Sequence, residues 1–209
     1  AGAMYIMGCN PIALAIMKTP KDCGADIAVG EGQPLGMPLS YGGPYLGFMA
    51  TLTKHMRKLP GRIVGQTTDS KGDTAYVLSL QAREQHIRRE KASSNICSNQ
   101  ALCAFTAGLY MATMGPDGMA EAANQSMAKA HYLAAKLCEI PGVLLKYKGD
   151  FFHEFVTEMP RQDEVLKALE EDDILGGLPV EGGIMWCATE KVTKAQLDRA
   201  IEVVKEVLA

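Results

Sequence analysis

Short apolar runs separated by glycine and proline dominate the first eighty residues, and long apolar stretches with helical spacing dominate the rest. Met4 to Met7 predicts a short strand that ends in Gly8-Cys9-Asn10. Pro11 to Lys18, with proline in its first turn, predicts a helix. Asp26 to Gly30 predicts a second strand, opening into a loop that carries Gly32, Pro34, Gly36, Pro38, Gly42, Gly43 and Pro44. Tyr45 to Leu52 predicts the returning strand, Thr53 to Leu59 a short helix stopped by Pro60-Gly61, and Ala75 to Leu80 another extended segment.

Near Asn95 the texture changes. Ile96 to Met114 is rich in Ala, Leu and Met and predicts a buried helix. Gly115-Pro116-Asp117-Gly118 reads as a turn, followed by a long amphipathic helix from Met119 to about Glu139. Short strands at Val143 to Lys146 and His153 to Thr157 precede a helix at Arg161 to Glu171. Ile184 to Ala188 predicts a strand, and Thr193 to Leu208 a helix that Thr193 caps with its hydroxyl. This order places an α/β segment over residues 1–95 and a smaller α+β domain over residues 96–209.

Composition narrows the function classes. Hydrophobic residues make up 47% of the 209 residues and charged residues 22%, ample material for a core. A net charge of -3 argues against a general nucleic-acid binder. No run of eighteen apolar residues is present to span a membrane. The six cysteines have no CxxC spacing and no adjacent histidine, so no metal site is expected. With twelve methionines and no secretory segment they read as free thiols in a reducing cytoplasm. The chain enters an apolar strand almost at once after Ala1-Gly2-Ala3. That start reads either as a processed or tagged end or as a cut in a longer protein.

Three segments could carry chemistry. Residues 24–51 run from strand through glycine-rich loop to strand, where α/β proteins place their sites; the glycines equally suit a tight connection. Residues 81–99 gather Arg83, His86, Arg88, Arg89 and Lys91 before Ser93, Ser94 and Asn95, good cap types for the helix that follows. They fit a phosphate or carboxylate site at a helix start, or a solvated charged segment with an ordinary cap. Arg62, between two glycines, could reach an anion bidentately or simply sit on a surface loop. His55, His131 and His153 each stand singly in helical or strand pattern and read as structural.

Taken together, GADIAVGEGQPLGMPLSYGGPYLGFMAT, LPGRIVGQTTD, QAREQHIRREKASSNICSNQAL and ILGGLPVEGGIMWCATEKVTKAQLD resemble the alpha subunit (subunit 1) of the two-subunit glycine cleavage P-protein. The resemblance covers nearly the whole chain, and the family chain is about twice as long. It therefore implies a C-terminal fragment: residues 1–95 as the end of a large domain of the fold type I pyridoxal-phosphate transferase kind, residues 96–209 as the small domain. In that fold one strand presents an acid to the cofactor's pyridine nitrogen, and a later loop presents the lysine that forms the imine. Asn10 stands where the acid is expected, and Glu31-Gly32-Gln33-Pro34 where the lysine is expected. Between Lys21 and Arg57 the only lysine is Lys54, beyond the returning strand.

The resemblance thus implies a non-catalytic subunit whose pyridoxal phosphate lies in a partner beta subunit. The assembled enzyme would decarboxylate glycine and pass the aminomethyl group to the lipoyl arm of H-protein. Ser93, Ser94 and Asn95 would contact the phosphate of the partner's cofactor. Two other readings stand beside it: an independent pyridoxal-phosphate enzyme using Lys54 or Lys91, and an assembly or regulatory module remote from any active site. Strand edges near the start of the chain also predict self-association through residues 1–90.

Overall fold

The computed structural model describes residues 2–59, 63–80, 85–92 and 100–209. The chain divides into two compact units, residues 1–14 with 18–113 and residues 15–17 with 114–209.

In the first unit a three-stranded sheet is built from β1 (Ile6–Cys9), β2 (Ile27–Glu31) and β3 (Gly47–Thr51). β2 is central, parallel to β1 and antiparallel to β3. The expected helix over Pro11 to Lys18 shrinks to a single 3-10 turn, Ala13–Ala15. Helical geometry has lapsed by Met17, ahead of Thr19-Pro20, where the residue before proline disfavours it. Thr53–Lys58 forms a 3-10 helix. β4 (Ile63–Thr68) and β5 (Thr74–Ser79) pair as an antiparallel hairpin, and its tip is pinned by Asp69, whose Oδ1 accepts from the amides of Lys71 and Asp73. A short α1 (Gln85–Arg88) runs into a 3-10 turn, Arg89–Lys91.

The long helix α2 (Ala101–Leu137) joins the sequences of the two units, and its backbone departs from helical geometry at Gly115 (φ 63°). A four-residue turn was expected here. Instead one left-handed glycine makes the kink, and helix resumes at Pro116, whose missing amide costs nothing in a first turn. The expectation of a buried helix before it also needs correction. Cys103 and Ala107 are buried, but Leu102, Phe105 and Leu109 are exposed. The unit therefore covers only one stripe of an apolar helix.

The second unit has the larger core. Its four-stranded antiparallel sheet runs in the order β6 (Leu144–Leu145), β7 (Glu154–Glu158), β9 (Gly183–Cys187), β8 (Leu178–Val180). Alternation along β7 and β9 sends Phe155, Thr157, Ile184 and Trp186 inward. They lie in one cluster with Leu133 and Leu137 of α2, Val165 and Leu169 of α3 (Gln162–Glu171), and Leu197, Ile201 and Val204 of α4 (Lys194–Leu208). The Trp186 indole donates to the Thr157 hydroxyl at 2.7 Å, satisfying both polar groups inside that core. Thr193 caps α4 as expected and completes a reciprocal pair: its hydroxyl accepts from the Gln196 amide, and the Gln196 side chain accepts from the Thr193 amide.

Candidate functional site

Because β1 and β2 are parallel and in register at Cys9 and Gly30, their carboxyl ends open on the same side of the sheet. That is where an α/β sheet places its ligands. Two sequence-singled positions meet there. Asn10 follows β1, and its Oδ1 accepts from the amides of Ile12 (2.9 Å) and Ala13 (3.2 Å), starting the 3-10 turn. Glu31 ends β2, and its Oε1 accepts from the amides of Gln33 (3.0 Å) and Leu46 (2.6 Å).

These bonds close the glycine-rich loop at its base. The Gly32 amide donates to the Leu46 carbonyl at 2.6 Å, and the Gln33 side chain donates to the Met37 carbonyl at 2.7 Å. Gly36 sits at φ +83° beneath Tyr110, where a Cβ would lie 2.9 Å from the ring. At the far end Ser40 and Tyr41 take positive φ, and the Tyr45 hydroxyl holds the Leu39 carbonyl at 3.0 Å. Leu39 and Tyr41 project into solvent.

Lys54 lies at the other end of β2. Its ammonium bonds Asp26 Oδ1 at 2.9 Å, while Asp26 Oδ2 accepts from the Tyr5 amide at 3.1 Å. The Lys54 contact first, then the Tyr5 amide, hold the Asp26 carboxyl below its ordinary range. A strand of five residues separates the two ends by roughly 15 Å, at about 3.3 Å per residue. Lys54 is therefore anchored away from the strand ends that carry Asn10 and Glu31. Among the described residues, these strand ends present the capping amide of Asn10 and the carboxylate of Glu31 bonded to two backbone amides.

Ser93, Ser94 and Asn95 lie outside the described residues, as do Arg62 and Arg83. The described part of the charged segment, including His86, Arg88, Arg89 and Lys91, is exposed. His131 is structural: its Nε2 lies 2.9 Å from the Phe151 carbonyl and its ring stacks on Phe151. Among the described residues, His55 Nε2 is buried with no hydrogen-bond partner.

One cluster escaped the sequence reading. His153, Glu154 and Cys187 each bring a potential ligand atom within 4.8 Å of the others. The cysteine lies far along the chain from the other two, and only the β7–β9 register unites them. Burial lowers the His153 pKa, while burial and the Glu154 charge push the Cys187 thiol up to about 11.

A family model described as "Glycine cleavage system P-protein" matches residues 1–204. "Probable glycine dehydrogenase (decarboxylating) subunit 1" of Chlorobium luteolum is 48% identical over 202 residues, 94% of this chain and 46% of that protein. The chain thus spans about half the length of the curated relatives it matches. The crystal structure of an inhibitor-bound glycine decarboxylase (P-protein) superposes with a TM-score of 0.91 at 42% identity, covering 99% of this chain and 49% of that one. Cysteine desulfurase CsdA from Escherichia coli, at 14% identity and a TM-score of 0.66, shares the fold, over 100% of this chain and 53% of its own. The architecture is that of the fold type I pyridoxal-phosphate enzymes. On the match over residues 1–204 and the identity to subunit 1 proteins, the chain belongs to the glycine cleavage system P-protein family.

Proposed function

We propose that this chain forms part of a non-catalytic subunit of glycine decarboxylase and works beside a partner that holds pyridoxal phosphate. The observation that carries this reading is the pair of strand ends. Asn10 caps the 3-10 turn and Glu31 clasps the loop, in the region where the resemblance puts the acid (Asn10) and the imine lysine (residues 31–34) of the fold. The one lysine nearby, Lys54, is paired with Asp26 at the opposite end of β2, which counts against an independent enzyme built on it.

In this reading the beta subunit binds glycine and removes its carboxylate, and lipoylated H-protein accepts the aminomethyl group. Residues 1–95 supply the end of the large domain and residues 96–209 the small domain. Ser93, Ser94 and Asn95 contact the phosphate of the partner's cofactor, where hydroxyl and amide donors suit an anion. The setting is cytoplasmic; among the described residues no helix is long and apolar enough to cross a membrane. The edge strands β1 and β3, with Met4, Ile6 and Met49 exposed, favour self-association when the partner is absent.

Co-expression with a beta subunit of the family tests the proposal. The expected result is a co-purifying complex in which borohydride fixes the cofactor to the partner chain alone. Labelling of this chain, or failure to capture the partner, would overturn it. Within the complex, Ser93→Ala and Ser94→Ala together should weaken cofactor affinity, and unchanged affinity would remove the phosphate contact from the proposal. Light scattering of the chain alone should show a dimer or larger, and a uniform monomer would refute the self-association.

A further inference from the structure

The outer face of the second unit's sheet carries a group of side chains with mixed chemistry. Glu154 of β7 faces Cys187 of β9. The Ala188 amide donates to the His153 carbonyl at 3.1 Å, which makes 153–188 a hydrogen-bonded pair. The 154–187 pair is then the non-hydrogen-bonded one, in which antiparallel strands bring side chains closest. Their strand neighbours Phe155 and Trp186 point into the core, so Glu154 and Cys187 leave the sheet on the opposite face, exposed. His153 precedes β7 and sets its Nε2 at 4.0 Å from Glu154 Oε1. One nitrogen, one carboxylate oxygen and one sulfur thus lie within 4.8 Å of each other.

We propose that His153, Glu154 and Cys187 form a zinc-binding site with a fourth position open to water. The ligand chemistry selects the metal: imidazole and thiolate favour zinc over magnesium or calcium, which prefer oxygen alone. The geometry needs a small closure. Tetrahedral zinc with bonds of about 2.0–2.3 Å holds its ligand atoms roughly 3.3–3.8 Å apart. The present separations exceed this by up to roughly 1.5 Å, within the reach of exposed Glu154 and Cys187 side chains. His153 is half-buried, and a neutral ring nitrogen is the form in which histidine binds metal. Glu190 adds a further negative charge near the imidazole. Capture of zinc by the thiol forms a sulfur–zinc bond and releases the thiol proton to solvent.

Zinc titration of the chelator-stripped chain, in competition with a chromophoric chelator, tests the site. The expected result is one ion per chain, with release of a proton in weakly buffered solution. Cys187→Ser and His153→Ala should each weaken binding tenfold or more, while Cys138→Ser should leave it unchanged. Cobalt(II) should give a thiolate charge-transfer band that Cys187→Ser abolishes. At a hundredfold excess over Kd, zinc should raise the Tm of the chain by roughly 5 °C, and should not raise that of Cys187→Ser. Absence of stoichiometric uptake, or affinity and band unchanged in Cys187→Ser, would overturn the site. Cys187 is exposed and serine is nearly isosteric with it, so this variant decides the matter even if His153→Ala fails to fold.

Discussion

The Glu31 carboxylate bonds the backbone amide of Leu46 at 2.6 Å, across the full span of the glycine-rich loop. The same oxygen also takes the Gln33 amide, so one side chain fastens both the exit from β2 and the approach to β3. Charge-assisted bonds from a carboxylate to amides are among the stronger hydrogen bonds. Glu31→Ala should therefore speed hydrogen exchange at the Leu46 and Gln33 amides and expose the 32–46 loop to protease. Glu31→Gln keeps an acceptor and should lie between the variant and the parent. Exchange at Leu46 unaltered by Glu31→Ala would show that the loop is held by its other bonds.

Gly36 and Tyr110 make a second constraint on that loop. Gly36→Ala meets two penalties, a left-handed φ of +83° and a Cβ placed 2.9 Å from the Tyr110 ring. Together they should cost roughly 1–3 kcal/mol and lower the Tm by a few degrees. Tyr110→Ala in the same chain relieves the clash and not the backbone strain, so the double variant should be destabilised by Gly36→Ala less than the parent is. Equal effects of Gly36→Ala in both backgrounds would leave φ alone as the cause.

Much of this was legible in local pattern, because local physics decides it. β1, β2, the cap at Thr193 and the long helix from Met119 onward all follow from short-range rules. β8 was missed because it has only three residues, includes Pro179, and sits at a sheet edge where proline is tolerated. β4 was hidden by the turn expected around Arg62. The exposure of Leu102, Phe105 and Leu109 could not be read from their apolar character, since burial depends on what else is present to cover them. At the candidate site the resemblance drew attention to Asn10 and to residues 31–34. It did not reveal that Asn10 and Glu31 had taken up capping and clasping, which depend on where backbone amides fall. The His153–Glu154–Cys187 group depends wholly on sheet register and has no signature in spacing.

In the second unit a buried polar pair, Trp186 and Thr157, lies inside an otherwise apolar core. Thr157→Val removes the acceptor of the Trp186 indole without changing shape much, leaving a buried N–H without that partner. The expected cost is roughly 1–3 kcal/mol, read from chemical denaturation followed by Trp186 fluorescence, the chain having one tryptophan. Thr157→Ser retains the acceptor and should cost less. If serine proves worse than valine, methyl packing and not the hydrogen bond holds this part of the sheet.

The pairing of Lys54 with Asp26 gives a prediction about pH as well as chemistry. The folded Asp26 carboxyl sits below its ordinary pKa, chiefly through Lys54 and then through the Tyr5 amide. The unfolded chain therefore takes up the proton at higher pH than the folded one. It follows that the carboxylate's contribution is complete above the unfolded pKa and is lost as pH falls through the depressed folded value. Asp26→Asn should lower the Tm at neutral pH, and its gap from the parent should shrink as the solution is acidified below the ordinary carboxylate range. Lys54→Met should behave in the same direction, since it removes the first cause of the shift. Both partners are solvent-exposed to a degree, so salt should narrow the gap as well. A gap that stays constant down to the most acid pH at which the chain folds would mean that Asp26 acts through its shape and not its charge. Lys54 would then be free of the bond that keeps it from the strand ends, and its exclusion as an imine lysine would rest on distance alone.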